Sequence, residues 1–400
     1  MTRVWIPIVG ALAVTFLVAP VPAAGPGAVV TVRNPLSIAR PAETIVISAP
    51  DLRKVIPFDD IRRVHVRDLG AARELLTQAV DLNDDGKFEE ILFQVDLGPG
   101  DTKTFELSVG ERQVYKREDF KAYGRFVRER RDDFAWENDR IAHRMYGAAL
   151  ETWAQEPLTS SAVDVWTKRV RRLVINDWYM VDDYHRDNGD GGDFYSAGKS
   201  RGCGGNGIWD GAKLYPSANF RDTRVLANGP IRVMFELTYL SWDVGGTKVS
   251  EMKRITLDAG QNIDRFESHY KVDGASSLMH AVGIKKAAGS TVVSSREKGW
   301  LRTWETMKGN GQLGCAIIMN PAVITDVTEA DGNYLGAARV PAEGPAVYYA
   351  GFGWDKSGDF AGVENWERYV DQFAQRLRAP VTVSLAPAEG REGREGREGG

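Results

Sequence analysis

The sequence is poor in the residues that build metal and disulfide sites. Its 400 residues include two cysteines and five histidines, and neither a CxxC nor an HxxxH pattern occurs. A structural zinc site is therefore not expected. Cys203 and Cys315 either form one disulfide across a long loop or remain two buried thiols, and their spacing does not decide between these alternatives.

The chain also lacks an excess of positive charge. Its 51 lysines and arginines are outnumbered by 55 aspartates and glutamates, which gives a net charge of −4. Because no chain-wide positive field is present to recruit nucleic acid, a nucleic-acid partner is not expected.

Long apolar runs are confined to the N-terminus. Arg3 precedes an apolar segment at 4–18, and Pro20 ends this run before it reaches the length of a membrane span. The pattern predicts a cleaved signal peptide over residues 1–24. The mature protein is thus expected to be periplasmic or secreted, with no membrane span, and the sequence does not indicate its oligomeric state.

Most of the remaining chain is a succession of short segments that alternate or are rich in β-branched residues. Residues 28–112 predict a small immunoglobulin-like β-sandwich. Residues 134–388 predict a larger, mainly β, antiparallel sandwich, and its last strand, PVTVSL, is expected to return to the sheet. The highly charged segment 113–133 is interpreted as a linker, and the low-complexity tail 389–400 as disordered.

Two segments of the larger domain carry apolar residues at helical spacing. They are VDVWTKRVRRLV, residues 163–174, and Glu364–Arg378. Both predict amphipathic helices. The basic residues of the first segment are interpreted as a solvated face rather than a binding patch.

A short acidic segment offers a candidate calcium site. Asp81, Asn83 and Asp85 alternate before Gly86, as in the first half of a calcium-binding loop. Leu92 stands where an EF-hand requires glutamate. The segment is therefore either a structural calcium site or an Asp/Asn/Gly hairpin turn, and no other cofactor is expected to be required.

The stretch with the strongest functional signal is the glycine-rich segment 179–205, YMVDDYHRDNGDGGDFYSAGKSRGCGG. Its glycines rule out a regular helix or strand. Aspartates, a histidine, tyrosines and cations lie between them, which is typical of a polar site on a long loop. The alternative is a solvated acidic Ω-loop whose glycines only permit tight turns.

A second candidate segment is FAWENDRIAHRMYG, residues 134–147. Read as one strand, its side chains alternate between two polar faces, as expected for a strand that lines a cleft. One face would carry Trp136, Asn138, Arg140, Arg144 and Tyr146, and the other Glu137, Asp139 and His143.

Several segments together resemble the bacterial DUF4861 family, a family of unknown function from polysaccharide-utilisation loci. They are FAWENDRIAHRMYG, VWTKRVRRLVINDWY, DDYHRDNGDG, GKSRGCGG, ANGPIRVMFELTY and KRITLDAGQNIDRFES. The resemblance covers residues 134–385, and the β-rich pattern is also similar to the galactose-mutarotase-like supersandwich of many carbohydrate-active enzymes. Relatives include an ulvan oligosaccharide dehydratase, so the resemblance implies β-elimination on a uronic-acid oligosaccharide, with a 4,5-unsaturated uronate as product.

Elimination across C4–C5 of a uronic acid needs a base for the C5 proton and an acid for the departing oxygen. A cation or amide must also neutralise the carboxylate. The preferred set joins His185 and Tyr184 in one site. His143 would face them, and Arg201 would bind the carboxylate. The candidate catalytic residues are His185, Tyr184, His143 and Tyr146; the candidate substrate-binding residues are Arg201, Arg140, Arg144, Asn138, Trp136, Trp242, Trp354 and Glu251.

The sequence is also compatible with other functions, some of which would use the same residues. A glycoside hydrolase would use two carboxylates, drawn from Glu137, Asp139, Asp182, Asp183 and Glu251. A mutarotase would pair Glu251 with His269 or His143. A sugar-binding protein without catalysis would use some of the eleven tryptophans as stacking platforms, with Trp136, Trp209, Trp242 and Trp354 as candidates.

Overall fold

The structure is a computed structural model and describes residues 27–155, 157–272 and 274–388. The predicted signal peptide and C-terminal tail lie outside the described residues. The strands are β1 (Ala28–Arg33), β2 (Arg40–Ser48), β3 (Val64–Asp68), β4 (Arg73–Leu75), β5 (Thr77–Val80), β6 (Glu90–Leu97), β7 (Thr102–Val109), β8 (Ala122–Val127), β9 (Asp133–Asn138), β10 (Ala142–Met145), β11 (Asp164–Lys168), β12 (Gly191–Gly192), β13 (Cys203–Trp209), β14 (Leu214–Tyr215), β15 (Asp222–Ala227), β16 (Arg232–Val244), β17 (Thr247–Asp258), β18 (Ile263–Val272), β19 (Ser277–Lys285), β20 (Thr291–Ser295), β21 (Trp300–Met307), β22 (Gly311–Met319), β23 (Ile324–Ala330), β24 (Asn333–Pro341), β25 (Pro345–Trp354) and β26 (Thr382–Pro387). The α-helices are α1 (Ala49–Arg53), α2 (Ile175–Val181) and α3 (Val363–Arg378).

The N-terminal part is a sandwich of two sheets, β26-β1-β7-β3-β4 and β2-β6-β5. Inward-facing residues such as Phe93 and Phe105, whose rings lie 5.1 Å apart, form its core. The last strand of the chain, β26, pairs antiparallel with β1. It was expected in the larger sheet, but Leu385 packs on the core of the small sandwich instead.

A second sandwich joins an eight-stranded sheet, β15-β16-β17-β18-β25-β22-β21-β20, to a five-stranded sheet, β14-β13-β19-β24-β23. Apolar side chains of both sheets, including Phe266 and Ile284, share one core. The predicted mainly β, antiparallel fold class is confirmed. The helix predicted near the C-terminus is also present as α3, and its Trp366 and Val370 are buried with residues of the large sheet.

A third sheet, in the order β12-β11-β10-β9-β8, corrects two predictions. The segment 113–133 is not a linker, because β8 within it pairs residue by residue with β9. The segment 163–174 is not a helix, because β11 occupies its first part and is buried throughout. The buried Lys168 is accommodated there by an ion pair with the carboxylate of Glu137 at 2.6 Å.

The segment 134–147 is a β-hairpin and not one strand. Asn138 closes the turn: its Oδ1 accepts hydrogen bonds from the backbone of Arg140 and Ile141, and its Nδ2 donates to two backbone carbonyls of the large-sandwich region. His143 therefore lies opposite Trp136, and the predicted faces are wrong. Asn138 is buried in this turn, which removes it from the candidate substrate-binding residues.

Candidate active site

The glycine-rich segment is folded against β11 at one point. Gly191 has φ 114°, and a Cβ there would lie 2.0 Å from the carbonyl oxygen of Thr167. A larger residue is therefore excluded at this contact. The backbone of Asp193 donates to the carbonyl of Tyr184 at 2.8 Å, so the chain between them forms a closed loop that carries His185.

Two clefts meet at His185. The inner cleft, about 190 Å³, is lined by Arg144, Tyr146, His185 and Asp193 among others. The outer cleft, about 410 Å³, also reaches His185 and includes Tyr184 and residues 129–131. The His185 side chain is 66% exposed, its ring centroid lies 4.8 Å from that of Tyr184, and its Nδ1 is 3.2 Å from the carbonyl oxygen of Asp193. The predicted neighbours His185 and Tyr184 thus do share a site.

Arg144 is the buried centre of this site. Its guanidinium donates to Asp164 at 2.7 Å and to Asp193 at 3.3 Å, and the carboxylate of Asp133 lies 3.9 Å away. It also lies over the rings of Tyr146 and Tyr184 at 5.2 and 5.7 Å. Because three carboxylates surround it, Arg144 holds the site together and is not available as a clamp for a substrate carboxylate.

The tyrosines of the site stay protonated at neutral pH. Burial is the main cause that raises the pKa of Tyr146, Tyr179 and Tyr184 above its ordinary value. The Tyr184 hydroxyl accepts hydrogen bonds from Arg130 at 2.6 Å and from Arg144 at 3.4 Å. Tyr146 lines the inner cleft beside His185, which places one protonated phenol and one imidazole on the same opening.

The outer cleft has a wall that the sequence did not indicate. Arg130 and Arg131 lie over the Trp153 ring at 4.7 and 5.1 Å. Arg131, Asp132 and Asp182 have φ of 56°, 63° and 55°, a conformation that costs energy outside glycine and is common at functional sites. The available signal is the dense charge of residues 128–133, which on its own fits a linker as well as a cleft wall.

Asp133 gives the site a measurable pH dependence. Burial raises the pKa of this carboxyl to about 7, against the opposing charges of Arg144 and Arg130. Between the unfolded pKa near 3.8 and the folded value, the folded state binds more protons, so we expect its contribution to stability to fall as pH rises, by about 1.4 kcal/mol per pH unit. Asp133→Asn should remove this slope.

The measurement is urea unfolding of both proteins from pH 4.5 to 8, with the difference between their unfolding free energies plotted against pH. Other carboxylates titrate in both proteins and cancel in the difference. A difference that does not change with pH would show that Asp133 is ionised throughout.

Two residues of the preferred catalytic set lie elsewhere. His143 is buried, with its Nδ1 2.9 Å from the carbonyl of Asp164 and its Nε2 3.1 Å from the carboxylate of Asp264. It cannot face His185, because the hairpin turns it to the side of Trp136, on which it stacks at 5.1 Å. Arg201 is buried too, and lines neither cleft.

The other predicted substrate-binding residues are also occupied. Arg140 pairs with Asp359 and lines a separate surface groove. Trp136 and Trp354 are 0% and 1% exposed, so neither can stack on a sugar. Trp242 is half-buried and donates to the carbonyl of Tyr215 at 3.2 Å.

The residues for the alternative chemistries are dispersed. Glu137 accepts from the backbone of Val174 and Ile175 at the start of α2, which is a structural role. Glu251 is buried on the inner face of β17, and His269 lies opposite the neighbouring Met252. Glu251 and His269 are therefore not cross-strand partners, and the carboxylate beside His143 is that of Asp264.

The candidate calcium segment forms a tight turn. Carboxylate oxygens of Asp81, Asp85 and Glu89 lie within 4.8 Å of one another, but the Asp81 carboxylate already accepts backbone hydrogen bonds from residues 83–86. Calcium binding there stays a prediction. Cys203 and Cys315 are free and buried.

Comparison with known proteins gives one family and one fold. The family model described as "Domain of unknown function (DUF4861)" matches residues 32–383. "Uncharacterized protein P7" of Formosa agariphila is 34% identical over 372 residues, which cover 89% of this chain and 93% of that protein.

Among solved structures, a protein of glycosyl hydrolase family 38 from Enterococcus faecalis aligns with a TM-score of 0.51 and 9% identity over 90% of this chain. An α-mannosidase from the same species aligns with a TM-score of 0.49. The chain spans 47% and 46% of their lengths, and at this identity the likeness shows the fold alone. Within the described residues, no helix is long and apolar enough to cross a membrane.

Proposed function

This chain belongs to the DUF4861 family, and we propose that it is a carbohydrate-active enzyme that acts on uronic-acid oligosaccharides by β-elimination, as a dehydratase or a lyase. The observation that carries the proposal is the position of His185, which lies where the two clefts meet. The inner cleft is lined by the protonated phenol of Tyr146, and the outer cleft is lined by Arg130, Arg131 and Trp153.

His185 is proposed as the base. A proton on its Nδ1, donated to the carbonyl of Asp193 at 3.2 Å, leaves Nε2 as a proton acceptor. With the side chain 66% exposed, Nε2 can reach the C5 proton of a sugar bound across the clefts. The Asp193 carboxylate, 3.6 Å from Nδ1, stabilises the imidazolium that forms.

Tyr146 is proposed as the acid in place of Tyr184. Its burial keeps the phenol protonated, and it shares the inner cleft with His185. The Tyr184 hydroxyl is held by Arg130 and Arg144, so its role is to position the loop. The Tyr146 proton would pass to the oxygen that leaves C4, as water from a dehydratase or as a sugar hydroxyl from a lyase.

Arg131 is proposed to bind the substrate carboxylate in place of Arg201. It is exposed and lines the outer cleft beside Trp153. A guanidinium matches a carboxylate with two parallel hydrogen bonds. By neutralising the carboxylate, it would make the C5 proton more acidic and stabilise the enolate.

Arg131→Ala is expected to raise KM for a uronate oligosaccharide by about tenfold or more, since a hydrogen bond to a charged group contributes about 1.5–3 kcal/mol. Arg73→Ala, an exposed arginine of the small sandwich, is the matched control and should leave the kinetics unchanged. Steady-state kinetics on one defined oligosaccharide measure both. Equal KM values for Arg131→Ala and wild type would remove Arg131 from the binding site.

The proposed function is tested by incubating the protein with a panel of uronic-acid oligosaccharides and recording the near-ultraviolet absorbance of an unsaturated uronate. Mass spectrometry of the products separates the outcomes. An absorbance rise with loss of one water establishes a dehydratase, and a rise with chain cleavage establishes a lyase. Hydrolysed or unchanged oligosaccharides without an absorbance rise would refute elimination on that panel.

A further inference from the structure

A cleft of about 350 Å³ lies where the small sandwich, the large sheet and the end of α3 meet. We call it the inter-sandwich cleft; its lining includes Glu43, Thr256, Arg265, Tyr349, Phe373 and Arg376. It shares no lining residue with either cleft at His185, so the proposed elimination does not use it. Small-molecule sites often lie between domains, and this volume is large enough for one.

The floor of the cleft is the outer face of the large sheet. Ile255 and Leu257 of β17 point into the core of the large sandwich, so Thr256 between them points to the opposite face. Thr256 lies opposite Arg265 of β18, and Arg265 lies opposite Tyr349 of β25. Because cross-strand partners share a face, these three side chains form one row across three adjacent strands.

The small sandwich and α3 form the walls, and contacts outside the lining hold them in place. Gln94 of β6 donates its amide to the carbonyl of Ala259, directly after β17, at 2.9 Å. The guanidinium of Arg40 of β2 donates to the carbonyl of Ala379, directly after α3. The cleft is therefore formed before a ligand arrives, which lowers the cost of binding.

One wall of the cleft carries more positive than negative charge. Oε1 of Glu43 accepts a hydrogen bond from Arg40 at 3.0 Å, while Nη1 of Arg376 lies 3.8 Å from Oε2 of the same carboxylate. One carboxylate therefore faces two guanidinium groups, and the longer contact is not a hydrogen bond. Arg376 also lies over the uncharged rings of Tyr369 and Phe373, at 5.9 and 5.1 Å. Arg40 and Arg376 are 0% and 8% exposed, so the surplus charge is buried and costly without a counterion.

The other charged side chains of the cleft have partners on the large sheet. The ion pairs are Arg232 with Asp258, at 2.6 and 2.8 Å, and Arg265 with Glu267. Glu90 of the small sandwich lies outside the lining; burial raises its pKa, and the strongest charge acting on it is that of Arg232. These groups therefore leave the surplus positive charge at the end of α3 in place.

The floor of the cleft also carries a hydroxyl group without a partner. Thr256 is 7% exposed, and its Oγ1 has no hydrogen-bond partner within the described part of the chain. Such an unmade bond is costly at a buried group. The rings of Tyr349 and Phe373, whose centroids lie 5.8 Å apart, add apolar surface to the same cleft. A cation in surplus, an unpaired hydroxyl and two rings thus line one opening.

We infer that the inter-sandwich cleft is a binding site for a small organic anion, whose charged group binds Arg376 and whose body packs on Tyr349 and Phe373. A guanidinium donates two parallel hydrogen bonds to a carboxylate or to another oxyanion. The anion supplies the negative charge that Glu43 cannot provide to two arginines at once. A polar group on its body would satisfy the hydroxyl of Thr256.

The test is thermal unfolding of the full chain at pH 7 and constant ionic strength, titrated with glucuronate, sulfate or glucose at low millimolar concentration. A ligand that binds the folded state raises Tm as its concentration exceeds Kd. Glucuronate is expected to give a saturable rise and glucose none. An equal rise with sulfate would show that the oxyanion alone is recognised, and a rise with glucuronate alone would show that the sugar body is recognised too.

The titration is repeated in Arg131→Ala, because the outer cleft at His185 is itself proposed to bind a uronate. A rise that persists in Arg131→Ala and is lost in Arg376→Gln assigns the binding to the inter-sandwich cleft. The reverse pattern would overturn the inference and leave the proposed function untouched. None of these measurements depends on turnover.

Arg376→Gln is expected to weaken the response at least about tenfold, because it removes the charge that binds the anion. The variant should fold, since glutamine is a good helix former and Glu43 keeps its hydrogen bond from Arg40. Arg378→Gln is the matched control. Arg378 is an exposed arginine at the end of the same helix and donates to the carbonyl of Lys298 at 3.0 Å, so its variant should respond like wild type.

Thr256→Val is a second variant that keeps the shape of the side chain. It should weaken the response about threefold, the effect of one neutral hydrogen bond, and leave Tm of the free protein unchanged or higher, because the hydroxyl it removes has no partner. The inference is overturned if glucuronate and sulfate shift Tm no more than glucose does, or if Arg376→Gln responds with unchanged affinity. Should Arg376→Gln not fold, unchanged affinity of Thr256→Val overturns it instead.

Discussion

Replacement of His185 by alanine is expected to lower kcat on a uronate oligosaccharide by at least about 100-fold, the usual effect of removing a general base. Stability should change by less than about 0.5 kcal/mol, because a side chain that is 66% exposed leaves no cavity when it is truncated. The combination of lost turnover and intact folding distinguishes a catalytic from a structural histidine.

The measurement is steady-state turnover with a urea unfolding curve for each variant. His269→Ala is the matched control, since His269 is a half-buried histidine of β18 away from both clefts, and it should retain full activity. Added imidazole should restore part of the turnover of His185→Ala and none of any other variant. Turnover of His185→Ala close to that of the wild type would refute the assignment of the base.

Local sequence patterns predicted the strands and helices of this fold correctly where the segment needs no charged partner from a distant part of the chain. Alternating segments became antiparallel strands, and the helical spacing of Glu364–Arg378 became α3 because one face packs on the large sheet. The same spacing failed in β11. There Lys168 is neutralised by Glu137, which is 31 residues away in the sequence, and no local pattern reveals such a partner.

The residues of the candidate site also fall into those that the local sequence could predict and those that it could not. His185 and Tyr184 are neighbours in one loop, so a loop-based prediction could bring them together. The prediction for His143 failed because the turn at Asn138 reverses the chain. The prediction for Arg201 failed because its side chain is buried against β19 and donates to Ser160 and Ser161. Trp153 and Arg131 were missed, since they meet across a distance of 22 positions in segments that carry no motif of their own.

The buried polar contacts between the two sheets of the large sandwich show a further limit of sequence patterns. Glu251 and Lys253 share one face of β17, and that much could be predicted from alternation alone. Whether this face is buried depends on the opposing sheet, which supplies Asn206 and His280. The hydrogen bond from Asn206 to Glu251 therefore becomes visible only when both sheets are assembled.

Replacement of Arg144 by methionine is expected to lower the free energy of unfolding by about 3–5 kcal/mol, the cost of removing one partner from a buried ion pair. Asp164 and Asp193 would lose the hydrogen bonds that Arg144 donates to them, and Asp133 would lose the main charge that lowers its pKa. Turnover should fall as well, because Asp193 positions His185.

Arg172→Met is the matched control for this variant. Arg172 pairs with Asp177 and Asp190 beside the same loop, but its side chain is 52% exposed, so its loss should cost less than about 1 kcal/mol. The two variants remove the same group and differ in burial, so urea unfolding of both isolates the effect of the buried position.

The deficit of Arg144→Met should grow with pH. Without the guanidinium, the pKa of the Asp133 carboxyl rises further above its unfolded value, and stability is lost as pH rises through that higher pKa. Unfolding curves at pH 5 and pH 8 measure the change, and Asp133→Asn in the Arg144→Met background should reduce it. Equal deficits at both pH values would mean that the charge of Arg144 does not lower the pKa of Asp133.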